Sequence, residues 1–247
     1  LEDTSAASDN ELVKLVNKII VDVIHSSMIQ KIDYQFSSEV RITDLHDGDL
    51  SNYLTEIEYT KLGMNIIVLS ANPETIEKVQ EYDDRETHYG KVHAYQYTVA
   101  NDKATLLWDM HDEERQCDFD LSIGFIFETP SVTDLDENDL AEVAVVYGKA
   151  CRSDMSPAAM KLIMHQGEEK YALRGIMQDV LPDHNDTISL DDLDYSAKEQ
   201  NKDAENYDYM DSFGRYQNAN DFKKLDKRIL DHAKQLWQSA SMKDYKF

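Results

Sequence analysis

The side chains best suited to chemistry fall in one short acidic stretch. Asp134, Asp136, Asn138 and Glu142, with the backbone carbonyl of Leu140 between the last two, put oxygen atoms at positions 1, 3, 5, 7 and 9 of a loop that runs into a hydrophobic segment. A hard cation such as Ca²⁺ takes roughly six to eight oxygens at short range, and alternate spacing lets one loop wrap several of them around a point. The stretch is not an EF-hand, because position 12 is Val145 where a bidentate Glu is required, and the residues after Glu142 read as strand instead of helix. An acidic turn that binds nothing is the alternative reading. Two other clusters, Asp44/Asp47/Asp49 and Asp183/Asn185/Asp186, lack the alternate spacing.

Catalytic motifs are scarce. The chain has no G-x-S-x-G elbow, G-x-G-x-x-G, P-loop, C-x-x-C or H-E-x-x-H pattern, so the common hydrolase and nucleotide scaffolds lose support. His88 and His93, five apart, suit neither one helical face nor one strand face, which favours surface histidines over a zinc pair. His111-Asp112-Glu113-Glu114 reads as a charged turn. A pair of carboxylates can hydrolyse glycosides, but only geometry selects a pair from so many. Tyr89, Tyr95, Tyr97 and Trp108 would make a sugar platform if they share an exposed face.

Cys117 and Cys151 carry the second piece of chemistry. If 119–127 and 142–150 form an antiparallel hairpin around the acidic loop, facing residues share one sum; centred on Asp134 that sum is 268, which Cys117 and Cys151 also make. This register predicts a disulfide at the open end of the hairpin, with two buried cytosolic thiols as the alternative. Bridges of this kind persist in oxidising compartments. The polar lead from Glu2 to Asn10 reads either as the stump of a removed signal peptide or as a trimmed start.

These groups need a body to position them, and the composition supplies one. Of 247 residues 41% are hydrophobic, with 14 Tyr, 7 Phe and 2 Trp, which is the make-up of a folded globular protein and not of an acidic tail. Acidic residues number 49 against 25 basic ones, a formal charge of −24, so nucleic acid and anionic lipid are poor first partners. With only 8 Gly and 4 Pro, turns must be made largely by Asp and Asn. The longest near-apolar run, Ile19 to Ile24, is broken by Asp22 and falls far short of the ~18 residues that span a bilayer.

Ser8-Asp9-Asn10-Glu11 has the form of a capping box, and Leu12, Leu15, Val16, Ile19, Ile20 and Val23 behind it predict a helix over 10–26. The period then shifts to two, with Phe119, Leu121, Ile123, Phe125 and Phe127 alternating with polar residues. Further strands are expected near 38–43, 53–60, 64–70, 91–99, 104–110, 142–150, 160–165 and 169–174, with hairpins at Asn101-Asp102 and Gln166-Gly167-Glu168. Strands this close in sequence must be mostly antiparallel. Helical spacing returns with Phe222, Leu225, Ile229, Ala233, Leu236 and Ala240, with Asn220 or Asp221 as cap and Trp237 adding weight to the docking face.

The expected fold class is α+β: mostly antiparallel β-sheets, in a sandwich or a partial propeller-like arrangement, with N- and C-terminal helices. Along the chain this gives a polar leader (1–9), an N-terminal helix and connection (10–32), a β-rich core (33–182), an acidic loop region (183–220) and a C-terminal helix packed on the core (221–247).

Two motifs point outward to known proteins. The acidic loop resembles the short D-x-D-x-D-G-x-x-[DE] calcium loop found between strands of many extracytoplasmic proteins, with Asp139 where Gly usually turns the chain; Asp tolerates that left-handed backbone. Cys151-Arg152-Ser153-Asp154-Met155-Ser156-Pro157, Met160 to Met164 and Lys170-Tyr171-Ala172-Leu173-Arg174-Gly175, with Cys117-Asp118-Phe119-Asp120 and Ala233 to Trp237, resemble a bacterial family of surface-polysaccharide biosynthesis proteins. The resemblance takes in about residues 90–240; Ser153 and Asp139 stand where the family pattern usually has Gly. It implies an envelope setting and no defined catalytic residue. Asp154 is expected to cap the Ser156-Pro157 turn, and Arg174 to pair with a carboxylate.

Two functions follow as expectations. The first is a non-catalytic, calcium-supported extracytoplasmic protein that binds a partner or glycan at the bacterial cell envelope. The second is an enzyme acting on surface polysaccharide through a carboxylate pair.

Overall fold

The structure, a computed structural model, describes residues 40–42, 53–60, 63–79, 85–100, 103–126, 130–178, 187–196 and 209–242. The helix expected over 10–26 and the clusters at 44–49 and 183–186 lie outside these residues. The described residues hold ten strands: β1 (Val40–Ile42), β2 (Tyr53–Thr60), β3 (Gly63–Val79), β4 (Arg85–Ala100), β5 (Lys103–Cys117), β6 (Asp120–Phe125), β7 (Ser131–Thr133), β8 (Glu142–Arg152), β9 (Ala159–Gln166) and β10 (Glu169–Ile176). Among the described residues one α-helix, α1 (Lys227–Ser241), follows two short 3-10 turns at Tyr209–Ser212 and Asn220–Phe222.

All strand pairs are antiparallel, as short connections demand. They make two sheets, one ordered β1-β2-β3-β4-β5 and the other β10-β9-β8-β6, with β7 also on β8. The expected hairpins form: Ala100 pairs with Lys103, and Gln166 pairs with Glu169 across a turn in which Gly167 has φ 59°. Of the two arrangements anticipated, the sheets form the sandwich. Between them lie Ile67, Leu69, Val92, Ala94, Trp108 and Met110 from the first sheet and Ile123, Val143, Val145, Tyr147, Ile163 and Ala172 from the second.

Strand β8 explains why a third layer exists. Its residues are buried from Glu142 through Gly148. Alternate side chains point to opposite faces, so Val143, Val145 and Tyr147 meet the first sheet while Ala144, Val146 and Ala150 meet the helix side. Helix α1 covers that side with Ile229, Ala233, Trp237 and Ala240, and Leu236 is only partly buried. Its cap is Asp226, whose carboxylate accepts the Arg228 N–H at 2.8 Å; the Asn220 and Asp221 expected as caps belong to the preceding 3-10 turn.

The described parts of the acidic region expected as loop, 187–196 and 209–220, also feed this core. Leu193 and Tyr216 are fully buried, and Tyr216 bridges to Gly175 and Asp194. The close approach needs glycine: a Cβ on Gly175 would lie 2.7 Å from the Tyr216 Cα.

Polar contacts also cross between the sheets. Asp112, expected in a charged turn, instead sits within β5, where it accepts hydrogen bonds from Tyr147 (2.8 Å), Lys149 (3.3 Å) and Lys161, all on β8 or β9. Its chain neighbours are charged, and only the facing sheet supplies the partners that hold it inside. Burial alone would raise the Asp112 carboxyl, but the hydrogen bonds from Lys161 and Tyr147 and the charges of Lys161 and Lys149 outweigh it and hold it at about 2. His165, 4% exposed, stacks on Trp108 at 4.2 Å, and neither ring nitrogen has a hydrogen-bond partner. Burial first, then the charge of Lys170, lowers this imidazole to about 4, against a smaller pull from Asp109.

Both groups make the fold sensitive to acid, in successive windows. The unfolded chain protonates histidine near 6.5 while folded His165 stays neutral, so stability falls by about 3 kcal/mol as pH drops from 6.5 to about 4. Asp112 is ionised in the folded state down to about 2 but only to about 3.8 when unfolded, so a further loss of about 2 kcal/mol follows between those values. Urea denaturation at a series of pH values measures both. Replacing His165 by Phe, which keeps an aromatic ring against Trp108, is expected to flatten the upper window.

Candidate metal centre

Strand β7 sets up the acidic loop. Ser131–Thr133 pairs with Ala144–Glu142, so residues 134–141 close a tight connection and Glu142 becomes the first residue of a doubly covered strand. Glu142 is 1% exposed. An ionised carboxylate at that depth must be hydrogen-bonded or neutralised. Its Oε2 accepts from the Leu135 N–H and the Thr133 hydroxyl, each at 2.9 Å, and its Oε1 accepts from Gln166 Nε2 at 3.1 Å. Burial pushes its carboxyl above the usual range, against those bonds to Leu135 and Thr133, and the charges of Asp136 and Asp134 push the same way.

The loop bends so that Asp134, Asp136 and Glu142 each bring a carboxylate oxygen within 4.8 Å of the others, and the group could hold a metal ion. Asp134 accepts the backbone N–H groups of Asn138 (3.0 Å) and Asp139 (3.2 Å), which fixes the turn. Asp139 has φ 64° and Glu137 φ 59°, so the left-handed backbone expected where Gly is usual does form, with a second one two residues earlier. Asp136 Oδ2 accepts from Asn138 Nδ2 and Gln166 Nε2, each at 3.0 Å, and its Oδ1 is buried with no hydrogen-bond partner. The neutral amide of Gln166 thus bridges two like charges, Asp136 and Glu142, that would otherwise repel.

Asn138 is not brought in as its spacing suggests. Its side-chain oxygen accepts the Leu140 N–H at 2.7 Å, so its nitrogen, not its oxygen, faces Asp136. Leu140 itself is joined to the loop through that N–H. Gln166 is the residue the spacing could not reveal: it lies 24 positions beyond Glu142 and arrives because the two pair across β8 and β9. A strand register for 160–165 against 142–150 is the one signal that could have found it. The loop is also anchored to α1, with Arg228 3.2 Å from Glu137 and Ser131 2.8 Å from His232.

The disulfide between Cys117 and Cys151 is present, with Cα atoms 5.7 Å apart. The register that suggested it is corrected. Asp120 faces Arg152 and Leu121 faces Cys151, a sum of 272 instead of 268, and β6 does not run into the acidic loop because β7 intervenes. Cys117 ends β5, Gln116 before it has φ 54°, and β6 begins at Asp120. The bridge therefore ties the last strand of one sheet to the middle of the other, and does not close a single hairpin.

Other expectations resolve plainly. Asp154 caps its turn, accepting the Ser156 N–H at 2.9 Å and its hydroxyl at 2.6 Å. Arg174 forms no ion pair with a described residue, contrary to expectation; the residue facing it across the β9–β10 ladder is another cation, Lys161. The four-residue aromatic platform does not exist. Trp108 is 6% exposed between the sheets, its indole N–H donating to Gln96 at 2.5 Å, whereas Tyr95 and Tyr97 are half-buried and stack with ring centres 6.4 Å apart. Strand alternation separates them, because Trp108 faces inward-pointing Gln96 across the ladder. His93 stacks with His111 and Tyr95 at ring-centre distances of 6.1 and 6.0 Å.

A cavity of about 380 Å³ opens at the far end of β9, lined by Lys161, Arg174, Tyr195, Tyr209, Arg215 and Gln217 among others. No carboxylate is among its described lining residues.

Fold and site together define a disulfide-bridged antiparallel sandwich with an acidic loop in which three carboxylates converge. Comparison of the chain with family profiles, with curated proteins and with solved structures gives no match. Among the described residues no helix is long and apolar enough to cross a membrane.

Proposed function

We propose that this is a non-catalytic, calcium-supported extracytoplasmic protein that binds a partner or glycan at the bacterial cell envelope. The observation that carries it is the convergence of Asp134, Asp136 and Glu142 around a buried Asp136 oxygen that has no donor. A group of three carboxylates calls for a hard dication more than for zinc, which favours nitrogen and sulfur. Calcium would take those carboxylates, the Leu140 carbonyl and, after rotation of its amide, the Asn138 oxygen. The Cys117–Cys151 bridge supports an oxidising location. The envelope setting is proposed from that location together with the likeness read from the Cys151 to Pro157 and Lys170 to Gly175 motifs of the sequence.

Loop calcium sites of extracellular modules bind at ~10⁻⁴–10⁻³ M. At the tighter end, millimolar calcium adds about 1.4 kcal/mol by mass action and raises the melting temperature by about 3–6 °C. Asp136→Ala is expected to melt at one temperature with calcium or chelator. Identical melting of the wild-type protein in both conditions rejects the metal. The alternative, an enzyme using a carboxylate pair on polysaccharide, needs an acid in a cleft, and the described lining of the cavity at the end of β9 holds none.

A further inference from the structure

We propose that the cavity beside β10 binds the carboxylate of an acidic sugar, a uronic acid unit of a glycan. This names the ligand class for the glycan role proposed above and rests on that role. In a chain with 49 acidic and 25 basic residues, every charged residue among the described lining of this cavity is a cation: Lys161, Arg174 and Arg215. Lys161 is neutralised by Asp112. The two guanidinium groups are not, since neither forms an ion pair with a described residue. Arg215 is held in place by backbone, its Nε donating to the Asp192 carbonyl at 2.9 Å and Nη1 to the Asp211 carbonyl at 2.5 Å. That leaves Nη2, and the whole planar edge of Arg174, for a ligand. A guanidinium edge matches a carboxylate with two parallel hydrogen bonds, and a side chain fixed beforehand loses little entropy on binding.

The remaining walls suit a sugar ring. Tyr209, 53% exposed, and buried Tyr195 give aromatic surface, while Gln217 and Ser212 offer groups for ring hydroxyls. The volume of about 380 Å³ falls within the range of small-molecule sites. The backbone here is firm: the Gln217 N–H donates to the Arg174 carbonyl at 2.7 Å, and Tyr216 behind it is fully buried. Lys161, in the first half of β9, and Gln166, its last residue, lie about 17 Å apart, so the cavity and the acidic loop are separate sites.

Glucuronate, glucose and inorganic phosphate titrated into the full chain by calorimetry, with amide chemical shifts followed by NMR, provide the test. Glucuronate is expected to bind saturably, glucose at least about tenfold more weakly, and the shifts to centre on Gly175 and Gln217. Arg174→Gln, at an exposed position, is expected to melt as the wild type does and to weaken glucuronate by about tenfold or more. Absence of glucuronate binding, binding of phosphate alone, shifts confined to other parts of the chain, or unchanged affinity in Arg174→Gln each overturns the assignment. Binding of a neutral oligosaccharide without any response to glucuronate overturns it too, while leaving the glycan role in place; the calcium melting shift is read separately at the other end of β9.

Discussion

Replacing Trp237 by alanine is expected to destabilise the protein by about 3–5 kcal/mol, the range for removing a large buried aromatic side chain. Trp237 has no exposed surface, meets the Tyr216 ring edge-on with centres 5.6 Å apart, and donates its indole N–H to the Gly214 carbonyl at 2.9 Å. The loss therefore combines a cavity between α1 and the second sheet with a buried carbonyl left unpaired. Trp237→Phe separates the two, since it keeps most of the volume and forfeits the hydrogen bond, at about 1–3 kcal/mol. Gly214 and Tyr216 belong to the segment that carries Ser212, Arg215 and Gln217 to the cavity, so the alanine variant is also expected to loosen that wall. Urea denaturation of the three proteins measures the ordering; a cost below about 1 kcal/mol for the alanine variant would show that the helix does not depend on this contact.

The cysteine pair comes next in size. With both cysteines changed to serine, the unfolding free energy is expected to fall by about 3–4 kcal/mol, from the entropy restored to an unfolded chain no longer closed across 34 residues. Because the bridge joins β5 of one sheet to β8 of the other, the expected effect extends to the contact between sheets. The wild-type protein in reductant should match the double-serine variant. Equal midpoints for the oxidised and reduced wild type would mean that the bridge contributes nothing to holding the layers together.

Much of the fold was legible because it is local. Alternating residues such as Leu121, Ile123 and Phe125 and the helical spacing of Ile229, Ala233 and Ala240 mark strand and helix by period alone, and the short connections force antiparallel pairing. Strands β3, β4 and β5 nevertheless run several residues longer than expected. Their outer parts contain charged runs such as His111 to Glu114, which read as turn until Tyr147, Lys149 and Lys161 face Asp112 from the other sheet. Strand β7 was missed, since Ser131-Val132-Thr133 is too short to show a period. The cysteine pairing forms although the register sum is four higher than expected, because Cys117 ends β5 and is not on β6, so the β6–β8 register does not place it.

For the candidate site, the sequence by itself determined the acidic loop: Asp134, Asp136 and Glu142 are near neighbours along the chain, and Asp139 has a side chain that tolerates the left-handed turn found there. Tertiary structure alone decided how deep Glu142 lies, that Gln166 rather than Asn138 bridges Glu142 to Asp136, and that Arg174 and Arg215, 41 residues apart, share one cavity. The reason is physical. Backbone periodicity and turn chemistry act between residues a few positions apart, whereas desolvation and the matching of charges depend on which surfaces the folded layers press together.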